Sequence, residues 1–290
     1  MTPEIVAQRL NLHRAGRDFR GDCPDCGYRE AFKVSTGRNG QPLLWCSSCN
    51  LPDGPAGIFA QIGGAPPAQA QQEPRHDADR AAHDAARVER ARRAWCGAVA
   101  PNPDDPVGRY LAMRGIAAIM GSTSIRYRPD TWHPSKRQLD AMLALIVGTD
   151  GTPQAIHRTF LTPDGRKGNV EPVKASLGIV AGGAVRLAPA SPDLLIAEGI
   201  ETAASAGILT GLPAWSSVSA GNLEHSLDLP DLVRRVTIAA DPDGPGLRAA
   251  EAAARRWKRQ GREVRIIKPQ TAGTDFNDVL MARSERGEAA

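Results

Sequence analysis

The chain has 290 residues, enough for one large domain or two to three small ones with apolar cores. Its 41% hydrophobic and 23% charged residues are ordinary for a globular protein, and no stretch approaches 18 consecutive apolar residues, which excludes a helical membrane span. A formal net charge of +4 permits a phosphate-rich partner without demanding one, so the distribution of charge has to decide.

The opening run MTPEIVAQRLNLHRAGRDFRG carries charges throughout and has no apolar segment of the secretory kind, so a cytoplasmic protein is expected. Four of the five cysteines form two pairs, Cys23-Pro-Asp-Cys26 and Cys46-Ser-Ser-Cys49, with 19 residues between them. That spacing fits a tetrahedral four-thiolate Zn2+ site, and metal is favoured over disulfide in a reducing compartment. The intervening stretch reads as two strands around the turn Gly37-Arg-Asn-Gly40. Residues 1–62 therefore read as a zinc ribbon, whose closed site supplies folding energy and leaves no open position for catalysis. Arg20, Arg29, Lys33, Arg38 and Trp45 are candidates for a nucleic-acid face, with Trp45 equally readable as packing beside a metal ligand. Cys96 stands alone and reads as an inert thiol.

Residues 63–79 (GGAPPAQAQQEPRHDAD) have almost nothing to bury and read as a mobile linker. An exposed helix follows from about Ala78 to Cys96, where Gly and Pro are absent. Residues 80–188 read as an α+β region, with helical patterns in GRYLAMRGI (108–116) and SKRQLDAMLALIV (135–147). AIHRTFL (155–161), followed by TPDGRKGN (162–169), reads as half of a hairpin.

From 189 to 290 apolar runs alternate with helical ones. DLLIAEG (193–199), RRVTIAAD (234–241) and REVRIIKP (262–269) read as strands. IETAASAGILTG (200–211) reads as a helix, as does EAAARRWKRQG (251–261), which with Leu247 puts Leu247, Ala250, Ala254 and Trp257 on one face. This order implies a parallel sheet, whose ligands bind at the carboxyl ends of the strands. Glu198 ends one strand; Asp241 and Asp243 follow another, on the same side of an extended chain that Pro242 enforces. Three anions meeting there repel one another unless a cation intervenes, and oxygen donors favour Mg2+ or Mn2+, ions that also hold phosphates. Asp243 before Gly-Pro-Gly also reads as the cap of the next helix.

AEGIETAASA (197–206), followed about forty residues later by IAADPDGPG (238–246), resembles the Toprim signature, a Glu-Gly after one strand and an Asp-x-Asp after a later one. The resemblance implies a Rossmann-like α/β domain with helices on both faces of its sheet. It also implies Glu198 in acid/base or metal-linked chemistry and Asp241 and Asp243 as ligands of Mg2+ or Mn2+. GTDFNDVL (273–280) is similar to an acidic segment of primase-type Toprim domains and adds Asp275, Asn277 and Asp278 as a possible second metal shell; helix capping by Thr274 or Asp275 is the alternative. YLAMRGI (110–116), HRTFLTPDGRKG (157–168) and GGAVRL (182–187) resemble the region that precedes Toprim in phage- and plasmid-encoded DNA primases.

The primase resemblance implies a nucleotidyltransferase acting in DNA replication, with single-stranded DNA as template and ribonucleoside triphosphates as substrates. Candidates for binding the triphosphate or DNA are Arg114, His157, Arg158, Lys167 and Lys174. No GxxxxGK[ST] loop is present, so a separate replicative helicase is the expected partner. Two alternatives stay open: a Toprim nuclease using the same acids, and a non-catalytic zinc-ribbon accessory protein that binds nucleic acid. A topoisomerase is disfavoured, because Tyr28, Tyr110 and Tyr127 lie in no setting suited to a nucleophile.

Overall fold

Thr2 accepts a hydrogen bond from the Ile5 amide and Pro3 occupies the first turn, which starts helix α1 (Pro3–Arg9) and turns Val6 and Ala7 inward. The computed structural model describes residues 1–25, 27, 29–37, 40–46, 51, 54–64, 74–271 and 273–287, with backbone alone over 74–80. Two compact units result, 1–79 and 80–290.

The first unit continues with β1 (His13–Ala15), β2 (Asp18–Gly21), β3 (Phe32–Thr36), β4 (Pro42–Cys46) and α2 (Gly54–Gln61). The four strands form one antiparallel sheet in sequence order. In β4, Pro42, Leu44 and Cys46 face inward while Leu43 and Trp45 are exposed, the two-residue period of a half-buried strand. Phe32, Val34, Leu44, Ile58 and Phe59 make the core, and Cys23 and Cys46 are buried within it. The strands expected around Gly37–Gly40 are β3 and β4. Cys26, Cys49, Arg38 and Tyr28 lie outside the described residues.

Helix α3 (Pro74–Cys96) begins four residues before the expected Ala78 start, and Cys96 at its end is exposed. Next come α4 (Pro106–Met113), a short 3-10 turn, β5 (Ile125–Trp132), β6 (Gln138–Val147), β7 (Pro153–Leu161), β8 (Lys174–Gly178) and β9 (Ala184–Arg186). The chain then alternates through β10 (Asp193–Ala197), α5 (Ile200–Thr210), β11 (Ala214–Ser216), β12 (Arg235–Ala239), α6 (Gly244–Arg259), β13 (Glu263–Ile267) and α7 (Phe276–Glu285). The short strand β11 was not expected from sequence.

All nine strands of the second unit share one mixed sheet, in the order β13-β12-β10-β11-β9-β6-β7-β8, with β5 also on β6. The first four of that order are mutually parallel, as expected. The remaining pairings are antiparallel, so the parallel sheet is extended by strands from the upstream region. Residues 135–147 contain one departure from expectation: the stretch read as helical forms β6 instead. Its Leu, Met and Ala favour helix locally, but β5, β7 and β9 all pair with it and occupy both its hydrogen-bonding edges, so tertiary pairing overrides propensity.

Helices cover both faces of the parallel part. Leu194, Ile196, Val236 and Ile238 meet Ala249, Ala250, Ala253, Ala254 and Trp257 of α6, while Leu195, Ala197 and Ala239 face Ala203 and Ala206 of α5 and Phe276 of α7. Full burial of a large apolar side chain such as Trp257 stabilises by about 1.5–3 kcal/mol. From β10 the chain runs through α5 to β11 on one side, and from β12 through α6 to β13 on the other. Adjacent strands whose connections diverge leave a crevice between their carboxyl ends, the usual ligand position in an open α/β sheet.

Candidate active site

Glu198, Asp241 and Asp243 lie at that crevice. Ala197 pairs with Ala239, so β10 and β12 leave the sheet side by side, with Glu198 directly after the first and Asp241 two residues past the second. The Glu198 carbonyl is fixed by the Ser216 hydroxyl at 2.6 Å and the Val218 amide at 2.9 Å. Val218 takes φ +71°, an unusual backbone for a β-branched residue, in the loop whose Ala220 backbone bonds the Glu198 carboxylate. Thr202, one turn into α5, donates to Asp241 at 3.3 Å. Asp243 caps α6 by accepting from the Gly246 amide at 2.7 Å. A Cβ at residue 246 would stand 2.9 Å from both the Asp241 carbonyl and the Asp243 carboxylate, so glycine is what lets both acids sit over this helix end.

The electrostatics are those of crowded anions. Burial, then the charges of Asp241 and Asp243, push the Glu198 carboxyl up to about 7. Burial and the neighbouring Asp243 and Asp275 charges raise Asp241 against the Thr202 hydrogen bond. The charge of Lys174 opposes both shifts. Among the described residues, no three His, Cys, Asp or Glu side chains are gathered tightly enough to hold one ion. The donor set nevertheless fits a hard cation of the Mg2+ kind, which is usually held by one or two carboxylates and completes its shell with water and phosphate oxygens.

The basic candidates divide. Lys167, partly desolvated, responds to the charges of Lys174, Arg114, Glu201 and Asp275, which places these groups in one neighbourhood. Lys174 pairs with Glu201 at 2.9 Å. His157 is fully enclosed, its Nδ1 2.9 Å from the Ser176 hydroxyl, and burial with the nearby Lys174 holds its pKa down at about 3. It is neutral at neutral pH, contrary to the expectation that it would help neutralise a triphosphate. Arg158 alternates onto the other face of β7, where its guanidinium bonds the Trp132, Ala175 and Ser176 carbonyls and lies over Phe160. It is not brought together with Lys174.

In the acidic segment, Asp275 and Asp278 form a reciprocal capping box at the start of α7. Asn277 is buried and donates to the Arg114 carbonyl at 2.6 Å and to Ser205 at 3.0 Å, while accepting from the Arg114 guanidinium at 3.2 Å. It ties α7 to the end of α4 and to α5. Sequence reasoning missed Glu201, Tyr110 and Thr202. Glu201 carries only the signal of an acid in a helix's first turn, which elsewhere means no more than a favourable dipole contact.

In the first unit, the register Arg20↔Lys33↔Trp45 aligns two cations with an exposed Trp on neighbouring strands. Lys33 also pairs with Asp18 at 2.8 Å.

Residues 193–286 match the family model described as a Toprim domain, so the chain carries a Toprim domain with Glu198, Asp241 and Asp243 at its strand ends. Residues 85–187 match the model described as a domain of unknown function (DUF7146). Among solved structures, the zinc-binding and RNA polymerase domains of the Aquifex aeolicus primase align over 98% of this chain and 80% of theirs, at 14% identity and TM-score 0.48. The primase fragment of the bacteriophage T7 primase-helicase aligns over 92% and 95%, at 14% identity and TM-score 0.44. The RNA polymerase domain of the Mycobacterium tuberculosis primase DnaG aligns over 72% and 81%, at 14% identity and TM-score 0.44. No curated protein matches. Among the described residues, no helix is long and apolar enough to cross a membrane.

Proposed function

We propose that this chain is a DNA primase, a nucleotidyltransferase that joins ribonucleoside triphosphates into short RNA primers on single-stranded DNA. The carrying observation is that Glu198 and Asp241 follow adjacent parallel strands of a Toprim domain and that both respond to the charge of Lys174 on β8, near which Lys167 and Arg114, at the end of α4, also lie. Acids to hold a divalent ion, opposed by cations to hold phosphates, are what nucleotidyl transfer requires. In this reading Mg2+ or Mn2+ is held by one or two of Glu198, Asp241 and Asp243, with water and phosphate oxygens completing its shell. The ion, when bound, supplies charge stabilisation to the attacking and leaving oxygens.

The chain's own residues do the rest. Lys174, Lys167 and Arg114 bind and orient the triphosphate. Glu198 assists deprotonation of the attacking hydroxyl or completes the shell of the ion. Asp275 and Asp278 keep α7 in register beside Asp241 through their capping box. The N-terminal unit is assigned as the structural Zn2+ ribbon, held by Cys23, Cys26, Cys46 and Cys49, and its Arg20–Lys33–Trp45 strip contacts the template. Unwinding falls to a separate helicase, and the protein works in the cytoplasm.

The test is incubation of the protein with single-stranded DNA, labelled ribonucleoside triphosphates and Mg2+ or Mn2+, with Asp241→Asn as control. New oligoribonucleotides from wild type, reduced by about two orders of magnitude or more in the variant, are expected. Shortened DNA would identify a nuclease instead.

A further inference from the structure

A buried polar cluster lies beside the carboxylates, between α4, β7, β8 and α5. Glu201, in the first turn of α5, is 8% exposed and is held from two sides. The Tyr110 hydroxyl donates to one carboxylate oxygen at 2.5 Å, and the Lys174 ammonium donates to the other at 2.9 Å. Tyr110 itself is 2% exposed. Thr159, paired across the strands with Lys174, is buried and its hydroxyl has no partner among the described residues. The Glu201 carboxyl lies well below the usual carboxylate range: Lys174 and Tyr110 together outweigh its burial, so it stays an anion.

We infer that Glu201 is a positioning residue, fixing Lys174 so that its ammonium is presented to the phosphates of a nucleoside triphosphate at the Glu198–Asp241 crevice. The inference rests on the reading that this crevice handles triphosphates. Lysine has a flexible four-carbon stem, and a free one would sample many rotamers before meeting a phosphate. Here one of its three N–H donors is taken by Glu201, and among the described residues no second acceptor is bonded to it. The remaining donors belong to an ammonium that already influences both Glu198 and Asp241. Glu201 is itself rigid, because α5 starts two residues after Glu198 and Tyr110 anchors the carboxylate from α4. The turn from β10 into α5 thus carries both a crevice carboxylate, Glu198, and the clamp on the phosphate-facing cation, Glu201. Tyr110 extends the clamp into the region of unknown function.

Two effects oppose each other when Glu201 is neutralised. Lys174 gains freedom of charge, which would strengthen phosphate binding, and loses its fixed direction, which would weaken it. The inference requires the second to win. Titration calorimetry with Mg·ATP should show Glu201→Gln weakening binding on the order of tenfold. In primer synthesis the nucleotide KM should rise by a similar factor, with kcat changing less than about threefold. Lys174→Met should weaken binding at least as much, and the double variant should be no worse than Lys174→Met alone.

Unchanged or tighter nucleotide binding by Glu201→Gln overturns the inference, as does a double variant in which the two losses multiply. Should Glu201→Gln fail to fold, Tyr110→Phe decides: a two- to fivefold weakening supports the clamp, and no change overturns it. Wild-type protein that binds Mg·ATP but makes no primers would remove the primase reading, while the variants would still decide the role of Glu201.

Discussion

Glu198→Gln separates the electrostatic burden of the site from its chemistry. The Glu198 carboxyl rises from 4.5 to about 7 on folding, so the folded chain holds that proton more tightly than the unfolded one does. For a group shifted in this direction, the stability contribution is full below about pH 4.5 and is lost as pH rises through about 7, where the fold must carry a crowded anion. At about 1.4 kcal/mol per pKa unit the whole shift corresponds to ~3 kcal/mol. Glu198 is only half-buried at the open edge of the sheet, and solvent screening reduces this to ~2 kcal/mol. Glutamine keeps the shape and removes the charge. The variant should therefore match wild type near pH 4.5 and exceed it at pH 8 by ~2 kcal/mol, roughly 4–8 °C in Tm for a unit of this size. Thermal unfolding from pH 4.5 to 8.5 without added divalent cation measures the gap. Millimolar Mg2+ should narrow it by neutralising the wild-type anions. A gap that does not change with pH, or a variant less stable than wild type at pH 8, would refute the reasoning.

Three further outcomes can be checked. Asn277→Ala should destabilise the protein by ~2–3 kcal/mol in chemical denaturation, because it removes three hydrogen bonds and leaves the Arg114 carbonyl and Ser205 without that partner. Gly165→Ala should lower stability by ~3 kcal/mol or more in the same assay: residue 165 has φ +83°, and a Cβ there would meet Arg109 Cβ at 2.6 Å and the Tyr110 amide at 2.8 Å. Trp45→Ala should weaken single-stranded DNA binding by ~1–3 kcal/mol in a fluorescence titration, with the far-ultraviolet spectrum unchanged, since Trp45 is half exposed on its strand.

Much of the architecture was legible because it is written in short-range patterns. The turn Gly37–Gly40 between two runs of the ribbon placed β3 and β4, the small-residue run after Glu198 placed α5, and the Leu247–Ala250–Ala254–Trp257 stripe placed the buried face of α6. The capping roles of Asp243 and Asp275 followed from their positions before helices. β6 was misread because the local preference of Leu, Met and Ala for helix is weak beside the pairing of three neighbouring strands. β11 is only three residues long and presents too short a pattern to detect.

The site divides along the same line. Glu198, Asp241 and Asp243 were accessible because strand-end acids at Glu-Gly and Asp-Pro-Asp are set by local backbone alone, and the parallel order of β10 and β12 then needed only the alternation of strand and helix. Tertiary structure decided which cations join them. It sent Arg158 to the opposite face and enclosed His157 until it became neutral. It also brought Glu201 of α5 against Tyr110 of α4 and Lys174 of β8, residues 91 and 27 positions away. Contacts over such separations depend on how the strands order themselves in the sheet, and no window of neighbouring residues contains that information.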